Sequence, residues 1–251
     1  MKRSLTLLLL LVAVLTIPQE PPPLPGINIT IGEPGSPRSL VVTLEILLIL
    51  TVLTLAPSIL VLFTSFTRII IVFSFLRNGL GTRMTPPNQV LIGLALFLTL
   101  LIMKPVWSDM WNDAIVPYTN GEIGYEEMFK RIMDRERQFM IGELKNHHNE
   151  DDVFLIANSA NIKIDRIEDA PNEVLIPAFI MGELEVAFKM GVLLYIPFIV
   201  VDMIVASILL AMGMIMIPPI FVSLPFKVLL FVMVNGWDLV IGGLMRSFAG
   251  S

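Results

Sequence analysis

Residues 174–212, VLIPAFIMGELEVAFKMGVLLYIPFIVVDMIVASILLAM, decide the class of fold. This run is apolar almost throughout and holds four ionisable side chains, Glu183, Glu185, Lys189 and Asp202. It reads as a long apolar helix. Gly213 to Pro219 interrupts it, and Phe226 to Met245 closes the chain with a further apolar run. Working back toward the N-terminus, Leu40 to Leu76 is also apolar. It is too long for one straight span of about 20 residues and is interrupted at Pro57, where a helix kinks or restarts. The polar stretch Arg77 to Pro87 follows, a turn by its Gly and Pro content. Val90 to Met103 then returns to apolar residues and meets Lys104-Pro105, with Trp107 and Trp111 suited to a membrane boundary. The expectation is an all-α, membrane-type protein of two long helical hairpins, residues 40–106 and 174–251, with a small helical insert between them.

That insert, residues 107–173, differs in composition. From Ser108 to Glu173 it carries 15 of the chain's 22 acids against 8 basic residues once Lys104 is counted. A helix is predicted over Tyr125 to Leu144, where Glu126–Lys130 and Glu127–Arg131 stand at i,i+4 and Phe129, Ile132, Met133 and Met140 share an apolar face. A shorter helix should follow Asp151–Asp152, which can cap it. At the N-terminus, Lys2 and Arg3 precede the apolar run Leu5 to Leu15, which reads as a secretory signal over residues 1–16. A Pro- and Gly-rich leader over residues 17–39 follows. The Arg77–Arg83 loop is basic without an acid and should face the cytoplasm, placing the acidic insert and the leader outside.

Composition excludes several functions. The 251 residues are 55% hydrophobic and 16% charged, with a mean hydropathy of +0.79; a soluble domain carries about 25% charged residues. A net charge of −5 and no basic stripe argue against nucleic acid. With no cysteine there is no disulfide framework, thiolate metal site or cysteine nucleophile. Two adjacent histidines, His147 and His148, leave little for histidine catalysis; beside Glu150, Asp151 and Asp152 they read as solvated loop rather than metal ligands. No catalytic residue, cofactor or metal is expected.

Two features remain as candidates for function. Arg68, Glu183, Glu185, Lys189, Asp202 and Lys227 are ionisable residues inside apolar runs, where they face a bundle interior, a partner or water. Glu185 and Lys189 can pair on one helix face, whereas Arg68 and Asp202 lack a local partner and need one on another helix or subunit. Static interhelical ion pairs, a proton relay and intersubunit contacts all remain open. The second feature is Ala211-Met212-Gly213-Met214-Ile215-Met216-Ile217-Pro218-Pro219. Met212, Met214 and Met216 are flexible and polarizable, Gly213 lets the backbone turn, and Pro218 and Pro219 forbid a continuous helix. By composition these methionines are either core packing or an apolar constriction that closes a pore by dewetting.

Further residues carry a resemblance. Thr64-Ser65-Phe66-Thr67-Arg68-Ile69-Ile70-Ile71-Val72 with Leu76-Arg77-Asn78-Gly79-Leu80-Gly81 resembles the first signature of the FliP family. Pro177-Ala178-Phe179, Glu183-Leu184, Ala187-Phe188, Tyr195 through Met203, Ala206-Ser207, the methionine loop, Leu224-Pro225-Phe226-Lys227 and Gly236-Trp237 are similar to its second half. The chain departs from the family pattern at Ile215, often a third consecutive Met, and at Asn235, often an acid. The resemblance implies a non-enzymatic subunit of the flagellar type III export gate, whose injectisome counterpart is SctR. It implies five copies in a right-handed helical assembly with FliQ and FliR subunits at the base of the flagellum, in contact with other export apparatus and basal body ring proteins. It also implies an inner-membrane location, passage of unfolded flagellar substrates, and a seal formed partly by Met212, Met214 and Met216. The competing classes are a transporter or ion channel subunit, which would show inverted repeats with paired broken helices, and an intramembrane hydrolase. The hydrolase would need facing carboxylates, and Glu183 and Asp202 lie roughly 28 Å apart along one helix.

Overall fold

The computed structural model describes residues 37–82 and 84–249, so the predicted signal over residues 1–16, most of the leader and Arg83 lie outside the described residues. Every regular element among the described residues is helical, as the sequence predicts. In order they are α1 (Pro37–Phe63), α2 (Phe66–Leu80), α3 (Asn88–Met110), a π-helical turn (Trp111–Ile115), α4 (Val116–Thr119), α5 (Tyr125–Asn146), α6 (Glu150–Ser159), a 3₁₀ turn (Ile167–Asp169), α7 (Asn172–Ala211), α8 (Pro219–Met233) and α9 (Gly236–Ser247). The chain divides between Thr54 and Leu55 into two units; the first contributes the N-terminal part of α1, and the account below concerns the second.

The helix kinks at Pro57, as expected, and a full break follows before Phe66, where Thr64 and Thr67 supply the breaking chemistry. The Thr64 hydroxyl donates to the Leu60 carbonyl at 2.5 Å and the Thr67 hydroxyl to the Val61 carbonyl at 2.6 Å. These bonds satisfy carbonyls that a helix end leaves without partners. The turn predicted from Arg77 begins only at Gly81, since α2 continues through Leu80. Gly81 closes α2 in the left-handed conformation, φ +77°, where glycine has no Cβ penalty.

The main packing in this unit is α2 along α7. Ile69, Val72, Phe73 and Leu76 are buried at the i, i+3, i+4, i+7 spacing of one helix face. The two helices meet from Arg68 at Glu183 to Gly79 at Phe198, and Ala187, Gly191 and Phe198 are buried along that stretch of α7. Close approach of the two helices depends on Gly191, where an added methyl would lie 2.4 Å from Phe75 Cδ2. The α5 helix packs on the N-terminal part of α7 through Phe139, whose ring meets Phe179 edge-on at 5.9 Å. Its buried face is Glu136, Phe139, Met140, Glu143 and Leu144. Phe129, assigned to that face from sequence, instead stacks on Tyr125 at the surface. Asp151 and Asp152 lie in the first turn of α6, after Asn149, rather than at its cap.

Among the described residues two helical stretches are long and apolar enough to cross a membrane, Asn88–Thr119 and Asn172–Ala211, and α8 with α9 forms an apolar pair bent by 62°. The bend is at Asn235, which takes a left-handed φ of 50°, a conformation Asn tolerates better than most non-glycine residues. At 40 residues α7 is about 60 Å long, roughly twice a hydrocarbon core. Its C-terminal half and α8 present exposed Leu193, Met203, Ile208, Phe221, Leu229 and Val232.

Candidate functional site

Met212, Met214 and Met216 occupy the turn that joins α7 to α8. The turn starts with a hydrogen-bonded stop: Gly213 N–H donates to Leu210 O at 3.0 Å and Met214 N–H to Leu209 O at 2.9 Å. Gly213, at φ +77°, supplies the left-handed residue this Schellman geometry requires. Pro218 and Pro219 then set the start of α8, with Pro219 in its first turn, where a missing N–H is tolerated. The side chains in between point away from the chain's own core. Met216 is 95% exposed, Ile215 79% and Met212 62%. Met212 and Met214 also line an entirely apolar groove of about 440 Å³ with Ile204, Val205, Ile208 and Phe226.

Twenty-one residues before Ser223 in sequence, Asp202 of α7 lies at the base of the same hairpin. Ser223 Oγ donates to Asp202 Oδ1 at 2.5 Å, and Lys227 Nζ stands 2.6 Å from Asp202 Oδ2. Lys227 is therefore the cation that the sequence required for Asp202. Its ammonium also lies near the C-terminal end of α2, since a methyl on Gly81 would stand 3.9 Å from Nζ, and a cation is favoured at a helix C-terminus. Glu185 and Lys189 pair on the surface of α7 at 2.6 Å, as their spacing predicts.

Arg68 sits in a second, fully buried cluster. Its Nε donates to Glu183 Oε2 at 2.9 Å and its Nη2 to Glu183 Oε1, a forked pair of charge-assisted bonds. Nη2 also reaches Glu143 Oε2 at 2.5 Å, and Nη1 donates to the carbonyl and hydroxyl of Ser247 at 3.1 and 3.0 Å. His147 Nε2 lies 2.9 Å from Nη1, and the guanidinium rests 3.7 Å from the centre of the Phe248 ring. One cation thereby ties together α2, α5, α7 and the end of α9. Sequence reasoning missed Glu143, His147, Ser247 and Phe248. The available signal was Glu143 lying among Phe139, Met140 and Leu144 on the buried face, with His147 one turn further on.

The structure thus separates the candidate residues into a methionine turn, a pair of ion clusters and a surface pair, with Glu183 and Asp202 in different clusters. Among the described residues no group of three or more His, Asp and Glu side chains is gathered to hold a metal ion.

Residues 49–244 match the model of the FliP family. The chain is similar to the flagellar biosynthetic protein FliP of Aquifex aeolicus (strain VF5), 45% identical over 251 residues that cover 99% of this chain and 100% of that protein. It is 44% identical to the flagellar biosynthetic protein FliP of Bacillus subtilis (strain 168) over 88% of this chain and 98% of that one. To that of Treponema pallidum (strain Nichols) it is 46% identical over 90% and 83%.

Proposed function

The chain belongs to the FliP family, and on that premise we propose that it serves flagellar biosynthesis as a core, non-enzymatic subunit of the type III export gate. In this reading five copies assemble with FliQ and FliR subunits, within a larger set of export apparatus and basal body ring proteins, around a channel for unfolded flagellar substrates. The complex resides in the bacterial inner membrane, with the insert of residues 107–173 on the periplasmic side.

The observation that carries the reading is the exposed methionine turn. A side chain of a folded subunit is rarely apolar, flexible and 95% exposed unless something outside the chain meets it. Copies of the turn arranged about an axis would direct Met212, Met214 and Met216 into one constriction. Thioether side chains repack easily, so such a ring would exclude ions at rest and yield to a passing polypeptide. Ile215 and Ile217 extend the same apolar surface.

The test is replacement of Met212, Met214 and Met216 together by Ala in the export complex, with complex yield and ion conductance measured on the same preparations. Removing a buried Met costs about 2–5 kcal/mol per site. None of the three is buried in the chain, with Met212 62%, Met214 36% and Met216 95% exposed, so yield should stay near wild type while conductance rises. Lost yield without conductance would assign the methionines to ordinary packing and remove the gate reading.

A further inference from the structure

We propose that Met212, Met214 and Met216 are a reversible oxidation site: peroxide converts their thioethers to sulfoxides and opens the constriction, and methionine sulfoxide reductase closes it again. The inference rests on the seal proposed above. The chain has 15 methionines and no cysteine, so the thioether is its only sulfur chemistry. These methionines occupy contrasting environments. Met103 and Met140 are fully buried in the core, whereas the methionines of the turn reach solvent, Met216 almost completely. Three accessible thioethers thus stand within five consecutive residues, at the turn that joins α7 to α8.

The reaction is a two-electron oxidation of sulfur by hydrogen peroxide. A sulfur lone pair attacks one peroxide oxygen, the O–O bond breaks and an S–O bond forms. The proton on the transferred oxygen passes to the departing hydroxide, which leaves as water. The product replaces a flexible apolar side chain with a polar one, whose oxygen accepts hydrogen bonds from water. An apolar constriction stops ions because water withdraws from it, so a ring of sulfoxides holds water where the thioethers excluded it. The reductase restores the thioether, oxidising two thiols to a disulfide and releasing the oxygen as water.

The shape of the turn does not depend on the thioethers. Backbone bonds donated by Gly213 and Met214 close α7, and Pro218 and Pro219 set the start of α8. The Asp202 carboxylate, held by Ser223 and Lys227, ties the two helices together. Oxidation therefore changes the polarity of the turn and leaves the hairpin in place. At Met103 or Met140 the same oxygen would have to enter a close-packed core. Met84, exposed in the loop between α2 and α3, is a thioether of equal access outside the turn.

The purified export complex in a planar bilayer is treated with hydrogen peroxide. Ion conductance is read before and after, each complex against its own untreated state, and oxidation at each methionine is read by peptide mass spectrometry. Met212 and Met216 should each gain an oxygen while Met103 and Met140 stay reduced. Conductance should rise at least about five-fold, the scale of one hydrogen bond gained with water, and the reductase with a dithiol should reverse it. Peroxide should produce no rise in Met212→Leu/Met214→Leu/Met216→Leu, whereas the rise should persist in Met84→Leu. Turn methionines that stay reduced overturn the proposal, as does a rise that survives in the triple Leu variant or disappears in Met84→Leu. The triple Ala variant described above separates this inference from the seal. If that variant conducts and the oxidised wild type does not, the oxidation switch fails and the seal stands; if neither conducts, both are removed.

Discussion

Asp202→Ala and Lys227→Met should differ sharply in cost although they break the same ion pair. The asymmetry follows from burial: the Lys227 side chain is 3% exposed and that of Asp202 33%. Asp202→Ala strands an ammonium with no carboxylate in the interior, the situation in which losing one partner costs about 3–5 kcal/mol. Lys227→Met leaves a carboxylate that reaches water and keeps the Ser223 hydroxyl at 2.5 Å, so its cost should be nearer 1–2 kcal/mol, the scale of a lost charge-assisted hydrogen bond. The double variant Asp202→Ala/Lys227→Met strands nothing and should be more stable than Asp202→Ala alone, a coupling visible in a double-mutant cycle. Thermal unfolding of the four full-length proteins in one detergent measures this. Because the pair joins α7 to α8 just before and just after the methionine turn, the stability order should be repeated in the yield of assembled complex. Equal costs for the two single variants, or a double variant at the sum of the singles, would refute the argument from burial.

Two further outcomes are expected. Glu136 is buried in α5, and burial raises its pKa from 4.5 to about 7. The folded protein thus holds a proton that the unfolded chain releases, a contribution complete below about pH 4.5 and lost as pH rises through about 7. Glu136→Gln should flatten that segment of the stability profile and raise the unfolding midpoint at pH 8; an unchanged slope between pH 5 and 7 would show that another group controls it. For the topology, a reporter active only in the cytoplasm and fused at Asn149 should stay silent, and activity there would invert the proposed orientation of the insert.

The fold class was legible because apolar length is a strong signal: residues 174–212 read as one helix and form one, from Asn172 to Ala211. Boundaries set by side-chain hydrogen bonding were less legible. Pro57 marks its kink in the sequence, but nothing in hydropathy marks the break at Thr64–Ser65, because the threonine hydroxyls do their work through carbonyls four and six residues back. The same limit applies to the π-helical turn at Trp111–Ile115, which lets α3 run on into α4 beyond the expected hairpin end at residue 106. At the candidate sites, residue type identified Arg68 and Asp202 as needing partners, and local spacing could not supply them. Their partners lie 115 residues away for Glu183 and 25 for Lys227, distances that only the packed fold brings together.

The location of those partners bears on how copies of the chain could meet. Glu183 and Asp202 are each bonded to a cation of the same chain, and Glu185 and Lys189 bond one another. These four side chains of α7 are therefore engaged before any neighbour arrives. What the C-terminal half of α7 and α8 offer outward is apolar, from Leu193 and Met203 to Phe221 and Val232. A subunit contact through Glu183 or Asp202 would have to share a carboxylate already held at 2.6–2.9 Å, whereas one through the exposed face only has to exclude water or lipid. Packing of apolar helix faces, with the ion clusters fixing each subunit's internal geometry, is the division of labour this arrangement supports.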